Sequence, residues 1–371
     1  MLIKSKLSEV YHSLIAPEIL SIAIPKERFA NCDDCHHCIK AFNPRSTTKC
    51  CTYHPVLPNY MVGAILSSDN PLMEEGKRRV LQKISDKLGI TPYGIIPPAA
   101  HHDTKTNRAK DQNLKEATKT NILLKCPFYH QGGCSIWQNR TENCSTFFCT
   151  SVGGKVGEDF WNSFHQYFIS IEHKVAIHSL TRIGYPLDKL PTNYIEPDKL
   201  GLDDKEGHLN EDLYTLLWNK WKGNEIEFYK QCFQYSQELS SSEVNGFLEP
   251  KDKLLEETVK VKANEFNKVR IPEYLIFDAS KIQQAKDSLS YEYKISPKNI
   301  LKMKQTLGDK ASLYISESDK LIINPLEYIL LKMFDGKTPS YNVIRKAQEV
   351  RSNLTNLIIC LMSDGVLKVA N

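Results

Sequence analysis

Apolar residues recur at helical spacing along most of this chain, and the pattern predicts a mainly helical protein. The segment 71–88 shows the signal well, because a proline stands at its start, two glutamates follow in its first turn and Gly89 comes just after its end. On this pattern we predict helices at 5–14, 71–88, 160–183, 210–221, 225–240, 251–269, 325–334, 340–350 and 352–363.

Between these segments the pattern breaks in three places. Residues 91–125 are rich in proline and then in charge, which predicts a long surface loop, and 184–208 form a Pro- and Asp-rich connection. The composition changes near residue 270, after which short β-rich runs predict strands at 274–277, 312–315, 321–324 and 366–369.

These breaks predict three domains. Residues 1–183 hold the cysteines, 184–270 form a helical extension, and 271–371 combine three compact helices with short strands. The predicted fold class is therefore mainly α with an irregular Cys-rich metal-binding core, followed by a smaller α+β domain that is winged-helix-like. The helix at 352–363 offers little positive charge, so a protein-interaction or structural role is favoured there over DNA binding.

Nine of the eleven cysteines lie in two runs within the first 150 residues. Packing alone would scatter cysteines, so this clustering indicates metal, disulfide or redox chemistry. The candidate ligands are Cys32, Cys35, Cys38, Cys50, Cys51, Cys126, Cys134, Cys144 and Cys149.

The first run opens with a Cys-x2-Cys-x2-Cys motif at Cys32, Cys35 and Cys38. Tight turns can bring these three thiolates to one centre, and thiolates suit zinc, Cu(I) and iron–sulfur clusters. The fourth ligand is either Cys50 or Cys51, because two adjacent cysteines do not easily point at one metal. His36, His37 and His54 are reserve ligands near the first run, although a histidine beside a cluster more often supports a ligand or lies on the surface than binds the metal. His101, His102 and Asp103 are possible ligands, but the pattern favours an exposed polar turn there.

The second run is Cys126, Cys134, Cys144 and Cys149, and it predicts a four-thiolate site. Two adjacent glycines at 132–133 permit a turn that brings Cys134 back towards Cys126. The remaining pair, five residues apart, fits one helical turn. Aromatic residues at Trp137, Phe147 and Phe148 are expected to exclude water from the sulfurs.

Composition and charge bear on the partners and the cellular compartment of the protein. The 371-residue chain is 41% hydrophobic with a net charge of +4, which is too weak to indicate nucleic acid. No segment is apolar enough for a membrane span, and the N-terminal residues lack the features of a secretory signal. We therefore expect a reducing cytoplasm, where clustered cysteines bind metal more often than they form disulfides.

The second run resembles the YkgJ-type cysteine-cluster family, whose members are described as zinc- or iron-chelating. The likeness covers about the first 180 residues and implies a metal-binding domain without a defined biochemical role. It differs from the family at Trp137, at Thr141 and in the eleven residues that separate Cys38 from Cys50. The matching positions are Cys126, Pro127, Phe128, Cys134, Ser135, Ile136, Arg140, Cys144, Phe148 and Cys149.

The expected function is therefore binding of one or two metal centres. The Cys-x2-Cys-x2-Cys motif and the large number of cysteines favour an iron–sulfur cluster, whereas loop-rich chains commonly use structural zinc. One alternative is a metal-dependent protein-modifying enzyme, since a flagellin lysine methylase is a relative of that family. A second is a zinc-stabilised module whose C-terminal domain binds protein or DNA.

Overall fold

The computed structural model describes residues 1–27, 48–49, 51–107, 114–148, 151–269, 271–284, 314–316, 322–323, 325–348 and 354–370. This part of the chain is mainly helical, as the periodicity predicts. None of its helices is both long and apolar enough to cross a membrane. The α-helices are α1 (Pro17–Leu20), α2 (Asn59–Leu66), α3 (Glu74–Ser85), α4 (Ala99–Asn107), α5 (Leu114–Leu123), α6 (Glu142–Thr146), α7 (Gly154–Arg182), α8 (Pro197–Leu200), α9 (Glu211–Trp218), α10 (Glu225–Gln237), α11 (Ser241–Phe247), α12 (Pro250–Lys268), α13 (Pro325–Leu331), α14 (Ser340–Gln348) and α15 (Leu354–Ser363).

Short antiparallel strands form small sheets between the helices. Their order is β1-β3-β2 in the first sheet, β4-β5 in a hairpin, β7-β8-β9 in a third sheet and β10-β6-β11 in a fourth. The strands are β1 (Leu57–Pro58), β2 (Ile90–Thr91), β3 (Gly94–Ile95), β4 (Tyr129–His130), β5 (Gly133–Cys134), β6 (Tyr274–Phe277), β7 (Ile282–Gln284), β8 (Tyr314–Ser316), β9 (Ile322–Ile323), β10 (Asp335–Pro339) and β11 (Leu367–Val369).

The chain divides into two compact units. The described residues of the first unit come from Met1–Ile24, 48–147 and Trp161–Ala263. Those of the second come from 25–27, from 148 and 151–160, and from residue 264 onward. The predicted helical extension thus contributes α9, α10 and α11 to the same unit as the described cysteines of the second run.

The centre of the first unit is the contact between α2 and α10. Every residue of α2 is buried, because the helix is apolar on all sides. Gly63 permits the close approach, since a Cβ there would lie 2.0 Å from the carbonyl oxygen of Tyr229 on α10. Asn59 then satisfies two buried carbonyls, donating to Pro92 at 3.2 Å and to Ala176 at 3.1 Å.

Part of the predicted loop at 91–125 is helical instead. Residues 99–107 form α4 and 114–123 form α5, although neither segment shows a strong apolar stripe. Tertiary contacts stabilise α4, because the backbone N–H of Ala99 donates to Asp203 at 3.1 Å and Lys205 pairs with Asp103 at 2.9 Å. His101 and His102 therefore lie on a helix rather than in an exposed turn.

The second unit has its own apolar core and a small sheet. Strand β6 is central, and it pairs antiparallel with β10 and β11. The predicted strand at 274–277 and the hairpin between 312–315 and 321–324 are confirmed as β6, β8 and β9, with small shifts in their ends. Cys360, on α15, is exposed.

Candidate metal centre

A two-residue hairpin carries Cys134. Strand β4 pairs with β5, with Tyr129 opposite Cys134 and His130 opposite Gly133. The two residues at the tip, Gln131 and Gly132, both have positive φ, at +44° and +85°, which matches the right-handed twist of the strands. The predicted turn is therefore present, one residue earlier than the Gly132–Gly133 pair.

Helix α3 holds this hairpin in place. Gly76 lets the residue after the hairpin, Ser135, approach the helix closely, because a Cβ at Gly76 would lie 2.3 Å from the Ser135 carbonyl oxygen. Three residues further on, Arg79 donates to the carbonyls of Pro127 and, at 3.3 Å, of Tyr129. Glu75 accepts from the same guanidinium at 2.6 Å. The segment between Cys126 and Cys134 is thus fixed by a charge-assisted network.

Cys51 of the first run lies beside Cys126 of the second. The backbone N–H of Cys126 donates to the carbonyl oxygen of Cys51 at 2.8 Å. The turn before Cys51 begins at Thr48, whose carbonyl accepts from the Cys51 N–H at 3.1 Å. Lys49 then donates to the carbonyl of Gly132 at 2.9 Å, which ties this turn to the hairpin tip. Two segments far apart in sequence therefore meet at their cysteines.

Cys144 lies in the short helix α6 and is an electrostatic neighbour of the other three thiols. Desolvation raises the pKa of the Cys144 thiol well above its ordinary value, and the charges of Cys126 and Cys134 add to the rise. Cys51 contributes in the same direction. The residue is nevertheless exposed. The desolvated group is the sulfur, which is the atom that matters for metal binding, although the residue as a whole is exposed.

The other thiols of this group are also desolvated. Burial raises the pKa of Cys126 to about 12, and the neighbouring Cys134 and Cys51 raise it further. Burial raises the pKa of Cys134 as well. Both residues pack against the apolar core of the first unit. These thiols are therefore protonated at neutral pH, and a metal ion would have to displace their protons in order to bind.

The sulfur atoms are neighbours without being closely packed. Among the described residues, no three cysteine sulfurs lie within 4.8 Å of one another. Tetrahedral thiolate zinc, with bonds of about 2.3 Å, needs sulfurs about 3.8 Å apart. The described sulfurs are therefore not spaced as a tetrahedral zinc site requires, and binding of a thiophilic metal would draw them closer together.

Several predicted ligands lie outside the described residues. These are Cys32, Cys35, Cys38, Cys50 and Cys149, with the reserve histidines His36 and His37. The choice between Cys50 and Cys51 consequently stays a prediction. What the structure adds is that Cys51 accompanies Cys126, Cys134 and Cys144, so the two runs share one region.

The aromatic cover differs from our expectation. Trp137 is 56% exposed and Phe147 is 57% exposed, so neither is a buried lid over the sulfurs. The Trp137 ring instead stacks against Arg140, whose guanidinium carbon lies 4.1 Å from the ring centroid. Phe128, which is fully buried, supplies apolar surroundings from the core side.

Two buried acidic residues, Glu142 of α6 and Glu172 of α7, lie together, and the sequence analysis did not predict this pair. Glu172 of α7 accepts from the hydroxyl of Tyr11 and, at 2.9 Å, from the backbone N–H of Glu142. Burial raises the pKa of Glu172 well above its ordinary value, and the adjacent Glu142 raises it further. Its spacing of four and eight residues from Phe168 and Phe164 was a usable signal, because it places Glu172 on the apolar side of the helix.

An exposed loop also groups metal-ligand types. Asp204, Glu206 and His208 have ligand atoms within 4.8 Å of one another. Internal hydrogen bonds explain this grouping, because Asp204 accepts from the backbone N–H groups of Glu206 at 3.0 Å and His208 at 2.8 Å. The three side chains are exposed to solvent. The geometry is therefore that of a hydrogen-bonded turn.

Two of the candidate histidines lie together. The rings of His54 and His101 have centroids 5.5 Å apart, and desolvation lowers the pKa of each.

No family model, curated protein or solved structure matches the chain, so known proteins give no further assignment.

Proposed function

We propose that this protein binds a thiophilic metal centre, either an iron–sulfur cluster or zinc, through its cysteine array. The observation that carries the proposal is the meeting of Cys51 with Cys126, Cys134 and Cys144. Cys51 and Cys126 are joined by a backbone hydrogen bond between distant segments, and buried thiols of this kind are soft ligands. We also propose that the chain is related to the YkgJ-type proteins, on the likeness of its second run, and that the clustered cysteines work in a reducing cytoplasm.

The metal would fasten these segments together. The described residues 48–49 and 51–56 contain little regular structure, and the hairpin that carries Cys134 has only two residues in each strand. Such short elements contribute little stability by themselves. Thiolate coordination would add cross-links among the Cys51 turn, the hairpin and α6, and its binding free energy would become folding free energy.

The absorption spectrum with metal analysis tests the proposal. Protein purified without oxygen should carry iron and labile sulfide with broad visible absorbance if the centre is iron–sulfur, or stoichiometric zinc without colour. Cys126→Ser and Cys134→Ser should each lose that metal. Cys232→Ser is the matched control, because Cys232 is fully buried in the apolar core on α10. Wild-type protein that binds neither metal would contradict the proposal.

For the second unit we propose a winged-helix-like module that serves protein interaction rather than DNA binding. The order α13, β10, α14, α15 and β11 supports it, because helix, strand, helix, helix, strand is the order of a winged helix. Two polar positions that a recognition helix would offer are engaged within the unit. Thr355 is buried, and Asn356 accepts from the backbone N–H of Lys155 at 2.7 Å.

A further inference from the structure

His54 and His101 have an arrangement that the thiol centre does not use. His54 is 3% exposed, and its Nε2 atom is buried without a hydrogen-bond partner among the described residues. The Nε2 atom of His101 is buried and lacks a partner in the same part of the chain. An unpaired polar atom in a protein interior is costly, so two of them on neighbouring rings need an explanation.

The proton positions of His54 follow from its one hydrogen bond. Its Nδ1 atom lies 3.0 Å from the carbonyl oxygen of Pro55. A carbonyl only accepts, so Nδ1 carries the proton. Desolvation lowers the pKa of His54 well below its ordinary value, so the ring is neutral. Its Nε2 atom therefore presents an unshared electron pair to the protein interior.

His101 has the same pattern on a different element. Its ring makes a backbone hydrogen bond to Leu124 that favours the protonated form, so the Leu124 carbonyl is the acceptor. Because Nε2 has no partner in the described chain, Nδ1 is the donor. Metal-binding histidines commonly donate one nitrogen to a carbonyl in this way, which fixes the ring and leaves the other nitrogen to coordinate.

The separation of the rings fits a shared ion. With a metal–nitrogen bond of about 2.0 Å, an imidazole centroid lies about 3.2 Å from the metal, so two imidazoles at a tetrahedral angle have centroids about 5.2 Å apart. The observed centroid separation is 5.5 Å, with the ring planes inclined by 68°. The two residues come from the extended segment after Cys51 and from α4, so tertiary structure brings them together.

We propose that His54 and His101 form a two-imidazole site for a divalent transition-metal ion such as Zn²⁺, Co²⁺ or Ni²⁺. Imidazole nitrogen suits these ions, whereas the thiols of the array suit iron–sulfur clusters as well as zinc. Two imidazoles fill only part of the coordination sphere of such an ion. The site stands independently of the thiol centre, because its two ligands and their backbone partners are separate from the four described sulfurs.

The positive charge of Lys83 allows a second test of the proposed site. This charge acts on both rings, and it is the first electrostatic contribution, after desolvation, that lowers the pKa of His54. The side chain is 7% exposed on α3. A buried positive charge opposes the binding of a second cation at this distance. Replacing it with a neutral residue of similar length should therefore strengthen metal binding at the histidine pair.

Cobalt titration of the full-length apoprotein tests the proposal, since Co²⁺ bound by thiolate shows a charge-transfer band and Co²⁺ bound by imidazole does not. His54→Gln and His101→Gln should each bind one Co²⁺ fewer than wild type and keep the charge-transfer band. His12→Gln is the matched control, because the Nε2 of His12 already lies 3.2 Å from the Lys4 carbonyl oxygen. Lys83→Met should tighten the imidazole-bound Co²⁺ by at least about three-fold.

The outcomes separate the two proposals. Loss of one ion in both histidine variants supports the imidazole site, even if the charge-transfer band is absent from every protein and the thiol proposal has failed. Unchanged stoichiometry in both variants, with the band present, overturns the imidazole site and leaves the thiol centre standing. If circular dichroism shows that the histidine variants are unfolded, Lys83→Met decides, and an unchanged affinity overturns the site.

Discussion

Two clusters of potential metal ligands lie in opposite surroundings. Cys126 and Cys134 pack against the apolar core, and burial raises the pKa of each. Asp204 and His208 lie in an exposed loop, where hydrogen bonds from the backbone N–H and the ring of His208 lower the pKa of the Asp204 carboxyl. The exposed cluster has the tighter grouping, yet its own hydrogen bonds account for that grouping. Proximity alone is therefore a weaker indicator of a metal site than desolvated donors on separate elements.

The largest effect should come from removing a thiol of the buried cluster. Cys126→Ser should abolish the bound metal and lower the thermal midpoint of the first unit, since coordination by structural zinc can contribute on the order of 10 kcal/mol. A chelator should then lower the midpoint of wild type and leave that of Cys126→Ser unchanged. Calorimetry with and without chelator measures both.

Cys232→Ser controls for the loss of a buried thiol. It should cost about 1–3 kcal/mol, because a hydroxyl without a hydrogen bond replaces a packed sulfur. It should keep the metal and the response to chelator. Equal responses in the two variants would show that Cys126 has only a packing role.

A smaller effect is expected at the buried acid beside α6. Below pH 4 Glu172 is protonated in the folded and unfolded chains alike. As the pH rises through the ordinary carboxyl range, the unfolded chain releases this proton while the folded chain retains it, because burial raises the pKa of Glu172. Stability should therefore fall with rising pH by up to about 1.4 kcal/mol per pH unit from this group.

Glu172→Gln should remove that slope and make the protein about 1–3 kcal/mol more stable than wild type at pH 8. The amide oxygen can still accept from Tyr11 and from the Glu142 N–H. Urea unfolding between pH 4 and pH 8 measures the difference. Glu249→Gln is the control, because the Lys174 ion pair lowers the pKa of that exposed carboxyl to about 2. Its variant should retain the wild-type slope above about pH 6, where this carboxyl is ionised in the folded and the unfolded chain alike. Parallel curves for wild type and Glu172→Gln would contradict the expectation.

The sequence predicted elements with strong local signals and missed those that depend on distant contacts. The strand at 274–277 and the turn between Cys126 and Cys134 followed from β-rich composition and adjacent glycines. Helix α4 did not, because its weak amphipathic pattern is overridden by contacts with Asp203 and Lys205. The pairing of His54 with His101 was equally hidden, since neither residue carries a local sign of the other.

The smallest effect should be at the exposed loop. Asp204→Asn weakens the hydrogen bonds to the His208 backbone and ring, which are 2.8 Å each. Because these groups are solvated, water replaces them, and the thermal midpoint should change little. Metal content measured by elemental analysis should equal that of wild type. Loss of one metal equivalent here, with the histidine and cysteine variants unaffected, would reverse the comparison and show that the exposed carboxylate cluster, not the buried donors, holds the ion.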